Sequence, residues 1–483
     1  MTKATTGSST KSLLHFVIMC LIIAIFSYLP PLAPITESGM YMLGVFFGFI
    51  YGVTAWQLTI PSLFGIFMLG WSDLIGGQNV ALAGSFGGPV LVNMLFLFVL
   101  IQLVQDKNIP QVIATWSLSR KCFQGKAFLY CVIVLITAVI LGMVNMFLSI
   151  FVLWTIMYGI LNQLGYQKHE AFSNIMLIGI VFFSMMGLIL FPFVDNGLII
   201  MGAYAGITGA PIHYGGYVAV VMPTTVLMAI IWVAVGKFVF KMDMTKIAAV
   251  DSSMLDLELL KLKPSQKATM FLVVFYLLVI LGQAMLPKDL PVLKYLTAAN
   301  LYLPILIILI IGTVWHFDGK PLMNVPDLLK RGLIVDTYCL TCFVMLLTAW
   351  LTNAGTGITA FCVSLLHPLL GGMPVYAMVC IVMVFAFLVT NVANNIVVTL
   401  CVIPIMFALS KNLGFAIEPV ALVVMMASHL ALLTPAASGP AALMFGNEEW
   451  ISKGDIYKFA PILLIAMLIV DLTFGYFWAN IIF

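Results

Sequence analysis

The chain has 483 residues, of which 63% are hydrophobic and only 8% are charged. Soluble globular domains carry about 25% charged residues, so this composition excludes a soluble fold and predicts an all-α polytopic membrane protein. The apolar runs are continuous rather than alternating, which excludes a β-barrel, and the formal charge of +3 is spread over loops, which argues against a nucleic-acid partner.

The N-terminus carries Lys3 and Lys11 ahead of an apolar run at residues 13–29, followed by Pro30 and Pro31. A signal peptide would continue into a cleavage site with small residues, and this sequence has none there. We therefore expect an uncleaved first transmembrane helix whose N-terminus is cytoplasmic.

Further apolar runs follow along the whole chain. A single crossing needs about 20 residues. Several runs are shorter than that, which predicts re-entrant hairpins and broken helices. The candidate helices are residues 12–29, 38–54, 57–72, 89–105, 127–143, 147–165, 171–192, 197–208, 216–240, 268–286, 300–316, 334–352, 356–370, 374–390, 395–410, 418–433, 440–446 and 458–482.

The longest polar interval, residues 241–267, lies in a stretch in which six Lys fall between positions 237 and 267. The positive-inside rule places this linker in the cytoplasm. Residues 254–263 have the character of an amphipathic surface helix, and the linker as a whole is expected to join two halves of the protein.

The two halves resemble each other. An offset of 249 residues places 142–166 over 391–415 and Asn145 on Asn394. An offset of 245 residues continues the match upstream, and an offset of 244 residues continues it downstream. The downstream offset aligns the polar break at 192–197 with the one at 435–440. Repeats of this kind in transporters are often inverted, with the solute site at their interface near the midplane.

Polar clusters at membrane depth mark the candidate site. The sequence Thr-Asn-Val-Ala-Asn-Asn at 390–395 and the Thr, Ser, Gly and Pro residues at 434–440 interrupt apolar runs. Interrupted helices are tolerated in lipid only where they are buried in protein or line a wet cavity. We expect these two clusters to meet Asn145 and the break at 192–197. The hydrogen-bonding role of Asn in helix–helix contacts is the alternative for any single Asn.

Helix N-termini at such tips carry positive partial charge and free N–H groups, which suit a carboxylate. Unwound carbonyls and Asn, Ser or Thr oxygens suit a hard monovalent cation, and no carboxylate cluster suits a divalent metal. Asp195 would hold a cation or a proton, unless it lies at an interface or caps a helix. His429 would couple protons, unless it is a neutral histidine hydrogen-bonded between helices.

The cluster at 390–395, the following Pro404-Ile405, and Thr434-Pro435 with Phe445-Gly446 further on resemble the divalent anion–sodium symporter family. The resemblance extends loosely over nearly the whole chain and is specific at 390–457. It implies an elevator-type transporter, usually a homodimer. A scaffold domain holds the dimer and a transport domain carries the site, and two inverted repeats each supply a re-entrant hairpin and a broken helix. It also implies di- or tricarboxylate substrates driven inward by Na⁺.

The family's Ser-Asn-Thr motif falls on Asn394, Asn395 and Ile396, so only the central amide is kept. In the first hairpin it falls on residues 144–146 or 145–147, where both hydroxyl positions are lost. The Asn of the later break is also missing. Ser149 and Thr399 lie one turn deeper in the hairpins and are candidates to replace the lost hydroxyls.

The candidate residues follow from these patterns and from the resemblance. The substrate-binding candidates are Asn145, Ser149, Asn394, Asn395, Thr434, Pro435 and Ser438. The Na⁺-binding candidates are Asn145, Asp195, Asn196, Asn391, Asn394, Ala437 and Gly439. No cofactor is expected beyond Na⁺, or H⁺ in its place, as the coupling ion.

The function expected from the sequence is Na⁺-coupled uptake of a di- or tricarboxylate, or a similar organic anion, across the cytoplasmic (inner) membrane. The alternative is an H⁺-coupled transporter or a carboxylate or cation antiporter of the same fold. A membrane-embedded enzyme would need a cluster of nucleophile, base or metal ligands, which the sequence lacks, and a passive channel would need no paired helix breaks.

The expected organisation alternates scaffold and transport segments. It comprises scaffold helices of the first repeat at 1–125, a transport hairpin and broken helix at 126–215, a linking helix and cytoplasmic linker at 216–267, scaffold helices of the second repeat at 268–370, a second transport hairpin and broken helix at 371–457, and a C-terminal helix at 458–483.

Overall fold

The fold is that of an all-α polytopic membrane protein, as the composition predicts. A computed structural model describes residues 6–123, 125–251, 254–285, 302–351, 353–358, 360–361, 364–365, 372–392, 395–435 and 437–483. Within these ranges, six helices are long and apolar enough to cross a membrane. The bent pair at Leu91–Asp106 and Ile109–Leu118, which turns by 60°, would make a seventh span.

The helices are numbered here in chain order. They are α1 Thr6–Tyr28, α2 Glu37–Ala55, α3 Thr59–Leu69, α4 Gln78–Ser85, α5 Pro89–Asp106, α6 Ile109–Leu118, α7 Ala127–Gly142, α8 Met146–Gln163, α9 Ala171–Gly187, α10 Asp195–Thr208, α11 Tyr214–Phe238, α12 Pro264–Met285, α13 Tyr302–Val314, α14 Val325–Gly332, α15 Val335–Leu351, α16 Val375–Thr390, α17 Asn395–Leu413, α18 Ile417–Ser428, α19 Gly439–Gly446, α20 Lys453–Val470 and α21 Tyr476–Ile482. A two-stranded hairpin pairs His316–Phe317 with Lys320–Pro321.

Two hairpins and two broken helices repeat in the same order. The first hairpin is α7–α8 and the second is α16–α17, and each packs against the first half of the broken helix that follows it, α9–α10 or α18–α19. Each hairpin ends in a glycine with positive φ, Gly165 at 70° and Gly414 at 74°. Ser184 donates to the Ile180 carbonyl, and Ser428, 244 residues on, donates to that of Val424. The internal repeat inferred from the sequence is therefore present in the backbone.

The repeats are inverted. Helix α11 follows the first broken helix in the sequence, and the continuous helical segment α20–α21, called the α20–α21 rod, follows the second. They run antiparallel, because Gly216 at the start of α11 packs against the Phe483 ring, and Phe240 just beyond its end contacts Phe459 in α20 at 4.9 Å between ring centroids. Equivalent helices that point in opposite directions require an inverted relation between the halves.

The remaining helices exchange partners between the halves. Helix α5 of the first half packs against α13 and α14 of the second, and α15 of the second half packs against α3 and α4 of the first. This reciprocal pattern is what a two-fold relation produces. Helix α1 packs on α2.

The sequence predictions were wrong in three places. Residues 254–263 form no amphipathic α-helix; a 3-10 turn at Leu257–Leu260 is present instead, where the Asp256 side chain accepts from the Glu258 N–H and no residue of the turn is buried. The short helices α4, α6 and α14 were not foreseen, since eight to ten residues give too little apolar signal. The last helix begins at Lys453 rather than at 458, because Ser452 and Asp455 form a capping box there. Most of the run predicted at 356–370 lies outside the described residues.

The close approach of α7 and α9 gives a stability prediction. A Cβ atom on Gly142 would lie 2.2 Å from the Ser184 carbonyl oxygen. We expect Gly142→Ala to lower the unfolding free energy by about 1–3 kcal/mol, the usual range for overpacking, measured as the thermal midpoint of the purified protein in detergent.

Gly159→Ala is the matched control, because nothing lies within 4 Å of a Cβ at that position in α8. It should leave the midpoint unchanged or raise it slightly, since Ala favours helix over Gly. Equal midpoints for both variants would contradict the packing of the first hairpin on α9.

Candidate functional site

Eight helix ends meet between the two repeats. The first tip is residues 143–145, and the second lies between Thr390 and Asn395. The first break, taken with the start of α10, is residues 188–197, and the second lies between Ser428 and Gly439. Helices α8, α10, α17 and α19 begin at these segments, and α7, α9, α16 and α18 end at them. The region therefore combines helix N-termini, which attract anions, with helix C-terminal carbonyls, which attract cations.

The first tip is held by Asn145. Its Oδ1 accepts from the Leu148 N–H at 2.9 Å and caps α8, while its amide nitrogen makes no hydrogen bond within the described residues. Ser149 is fully buried one turn deeper, where its hydroxyl lies 3.0 Å from the Ala138 carbonyl and 2.8 Å from the Ser184 hydroxyl. Ser184 donates to the Ile180 carbonyl, so the single proton of the Ser149 hydroxyl serves either the other arm of the hairpin or α9, and Ser149 lies within hydrogen-bonding distance of both.

The second tip is held by Asn391. Its amide nitrogen donates to the carbonyls of Phe387 and Leu430, at 2.7 and 2.9 Å. Its Oδ1 accepts from the N–H groups of Leu432 and Leu433, at 3.1 and 2.8 Å. An Asn side chain offers two donors and two acceptor lone pairs, so all four are used. Asn391 therefore ties the second tip to the second break.

Two other polar residues of the second hairpin form hydrogen bonds within it. Asn395 is buried, and its Oδ1 accepts from the neighbouring Ile396 N–H at 3.0 Å. Thr399, fully buried, donates to the Asn395 carbonyl at 3.0 Å. Asn395 is the central amide of the family motif, and Asn394, which occupies the first position of the motif, lies outside the described residues.

The first break contains the carboxylate of the region. Asp195 begins α10 with φ of 37°, a left-handed conformation that is uncommon for a residue other than glycine. Its side chain is partly exposed and makes no hydrogen bond or ion pair within the described residues, so it does not cap the helix. The rest of the break is braced: Tyr217 donates to the Ile189 carbonyl at 2.5 Å, and the Gly197 N–H donates to that of Leu188 at 3.0 Å.

A hydrogen bond joins the two breaks. The Asn196 amide nitrogen lies 3.0 Å from His429 Nε2, and His429 Nδ1 lies 2.8 Å from the Met425 carbonyl. The carbonyl accepts only, so Nδ1 carries the ring proton and Nε2 accepts from Asn196. Both side chains are buried. His429 is therefore a neutral histidine that links helices, one of the two readings that its sequence position left open.

The second break is braced by its own hydroxyls. Thr434 donates to the Asn391 carbonyl at 2.6 Å, and Ser438 donates to that of Ala431 at 2.9 Å while capping α19 through the Ala441 N–H. Ala437 is fully buried beside them, and Pro435 is exposed. Gly439 contacts the Phe147 ring, since a Cβ there would lie 2.8 Å from it. The first tip and the second break are thus neighbours.

The predicted residues fall into two groups. Asn391, Ser149, Thr434 and Ser438 use their side-chain groups in the bonds just described. Asn145, Asn196 and Asn395 each leave one end of the amide without a partner in the described residues, Asp195 leaves its carboxylate so, and Pro435 and Gly439 are exposed. The sequence analysis did not single out Phe147, Tyr217 or Thr390, whose hydroxyl donates to the Ser428 carbonyl at 2.5 Å. Nothing in the sequence distinguishes Phe147 from the other Phe residues, of which the chain has 35 in all. Thr390, the first residue of the polar cluster at 390–395, could have been identified from its position.

Two cavities flank the first hairpin. One, of about 400 Å³, lies between α6, α8 and the linker, and is lined by Gln111, Thr115, Phe151, Val152, Thr155, Ile156, Gly159, Met254, Leu255, Asp256 and Leu259. The other, of about 410 Å³, lies between α8 and α19. They share Phe151 and Thr155 and extend along α8 from below the tip toward the face that carries the Lys-rich linker.

A solved structure has the same fold. The crystal structure of the YdaH transporter of Alcanivorax borkumensis, reported to have an unusual topology, aligns with 97% of this chain and 98% of its own, with a TM-score of 0.55 and 12% sequence identity. At that identity the likeness shows the fold alone. Neither the protein-family models nor the curated proteins contain a match to this sequence.

The bond between the breaks gives a second prediction. We expect a double-mutant cycle of Asn196→Leu and His429→Leu to show a coupling free energy of about 0.6–1.7 kcal/mol, the range for hydrogen bonds between membrane helices. The measurement is unfolding of the purified protein in mixed micelles. Thr313→Val combined with His429→Leu is the control, because Thr313 bonds only the Leu309 carbonyl of its own helix; a coupling no larger than that of the control would contradict the contact.

Proposed function

We propose that this protein is a secondary active transporter that carries a small organic anion across the cytoplasmic membrane. The observation that carries the proposal is the meeting of the two helix breaks at the Asn196–His429 bond, between inverted repeats. Broken helices that meet at the centre of an inverted repeat are the arrangement in which transporters bind solutes and coupling ions.

The anion is assigned to the helix N-termini. Helices α8, α10, α17 and α19 direct their positive ends to the centre, and the tips and breaks contain no Lys or Arg. A site without a fixed cation releases its anion readily, which uptake requires. The amide nitrogen of Asn145 has no partner among the residues that the structure describes, and it suits a carboxylate oxygen. The proposed substrates are di- or tricarboxylates, with Asn394 as the second amide.

The coupling ion is assigned to the neighbourhood of Asp195. This carboxylate lies at the first break, is partly exposed and is not used by any hydrogen bond in the described part of the chain. Its left-handed backbone is strained, and such strain concentrates at functional sites. Na⁺ is the proposed ion. Asn391 is a weaker ligand than its sequence position indicates, since both lone pairs of its Oδ1 are in use.

Access from the cytoplasm would follow the two cavities along α8. They lie on the side of the Lys-rich linker, which the positive-inside rule assigns to the cytoplasm. In this proposal the hairpins and broken helices move as one body against the reciprocal packing of α3–α5 with α13–α15. The elevator mechanism and a homodimer held by the scaffold come from the family resemblance, and the YdaH transporter supports a carrier on this fold.

The competing function is H⁺ coupling, or exchange, on the same fold. Asp195 is the observation that favours it, because a partly exposed carboxylate in a membrane protein exchanges protons as readily as it binds Na⁺. His429 supports it less, since both of its ring nitrogens are occupied.

Uptake into proteoliposomes separates these functions. We expect labelled succinate, malate or citrate to accumulate several-fold more with an inward Na⁺ gradient than with K⁺ in its place. Accumulation with an H⁺ gradient alone would support the competing function. Flat uptake of all three anions under both gradients would contradict carboxylate symport.

The tip amides are tested by substitution. Asn145→Ala and Asn394→Ala should each lower uptake about ten- to hundredfold, the loss of one hydrogen bond to a charged group. Asn412→Ala is the matched control, because in the described part of the chain its amide bonds only the Ala408 carbonyl, within α17. Normal uptake by both tip variants would place the anion elsewhere.

A further inference from the structure

The last membrane span contains a buried carboxyl group outside the candidate site. Asp471 is fully buried, and neither of its carboxyl oxygens has a hydrogen-bond partner in the described part of the chain. It stands 11 residues before Ile482, the end of the helical span, which is about 16 Å along a helix axis. An acidic residue at this depth is costly, and it marks function by default.

The helix around Asp471 is altered to accommodate it. Residues Asp471–Gly475 form a π-helical turn, in which the Tyr476 N–H donates to the Asp471 carbonyl. A Cβ on Gly475 would lie only 2.6 Å from Asp471 Oδ1, so a glycine is what leaves room for the carboxyl group. Single π turns inside α-helices are rare and occur frequently at functional sites.

The facing helix offers no donor either. A Cβ on Gly475 would also lie 3.4 Å from Thr224 Cγ2 of α11, so this is the neighbour across the turn. The hydroxyls of Thr224 and Thr225 donate to the carbonyls of Val220 and Val221. Pro223 has no N–H to donate to the Ala219 carbonyl. That carbonyl instead accepts a hydrogen bond from the Trp478 indole N–H at 2.7 Å.

In the described part of the chain, no charged or titratable group on the surrounding elements forms a hydrogen bond with the Asp471 carboxyl group. The elements packed on the π turn are α11, α18, α20 and α21, and α16 reaches it through the bond from Tyr376 to the Leu472 carbonyl. None of their titratable side chains donates to the carboxyl oxygens. These side chains are Tyr214, Tyr217 and Lys237 on α11, Glu418 and the capping His429 on α18, Lys453, Asp455, Tyr457 and Lys458 on α20, Tyr476 on α21, and Tyr376 and Cys380 on α16.

We propose that Asp471 is a proton-binding site, separate from the site between the hairpin tips, which takes up and releases one proton during the working cycle. An ionised carboxylate with no donor and no counter-charge is very costly in such surroundings, whereas a neutral carboxyl group needs only one acceptor for its O–H. The step is the addition of H⁺ to the carboxylate and its loss again, without another reactant. Release needs a conformation in which the π turn meets water.

Infrared spectroscopy of the protein in nanodiscs tests the site without any substrate, so its outcome does not depend on the proposed anion transport. We expect a carboxylic-acid C=O band at neutral pH that is lost in Asp471→Asn, and that falls reversibly in the unaltered protein as the pH rises from about 5 to about 10. Asp455→Asn, in the capping box of α20, is the matched control and should keep this band.

Gly475→Ala is a second variant that keeps the carboxyl group. It presses a methyl group against Oδ1 and should shift the band without removing it. No band lost in Asp471→Asn would overturn the proposal. So would a band that stays constant over the whole pH range, since the carboxyl group would then be a permanently neutral part of the core. In either case the uptake experiments stand on their own.

Discussion

The breaks depend on one constraint: backbone N–H and C=O groups released at membrane depth need partners inside the protein. No water replaces them in a bilayer, and each unpaired group costs several kcal/mol. The second break meets this demand with side chains of the second tip and of its own, chiefly Asn391, Thr390 and Ser438. The first break meets it with Tyr217 and the Gly197 N–H. The second hairpin therefore braces the second broken helix, whereas the first broken helix is braced by α11 and by its own backbone.

The same constraint divides the polar residues into two kinds. Residues whose hydrogen-bonding capacity is consumed by backbone, with Asn391 as the clearest case, keep the unwound segments in place. Residues with capacity left over, such as the Asn145 amide nitrogen and the Asp195 carboxylate, are those able to bind a solute or an ion. A polar residue in a broken helix is thus evidence for the break first, and for a ligand only when its donors and acceptors are not already used.

The fold was predictable from the sequence because apolar length and repeated spacing are local properties of the chain. Thus the hairpins and the breaks follow one another in the order that the offsets of 249 and 244 residues indicate, although α9 and α18 end at Gly187 and Ser428, before the predicted ends at 192 and 433. The bonding of individual side chains was not predictable, because the partners of Asn391 and Asn196 lie about 40 and 233 residues away. Short helices such as α4 and α14 were not predicted from the sequence either, because packing against the other repeat stabilises them rather than an apolar pattern of their own.

The two long antiparallel helices add an asymmetry to the inverted fold. At the level where they face each other, α11 is interrupted by Pro223 and the α20–α21 rod by the π turn at Asp471. Both irregularities weaken the backbone hydrogen-bond ladder at mid-depth, but only one of them carries a carboxyl group. Inverted repeats exchange roles when a transporter changes its open side. A proton site present in one repeat alone would therefore meet water in different ways on the two sides of the membrane, so the symmetry that relates the two backbones would not extend to proton binding.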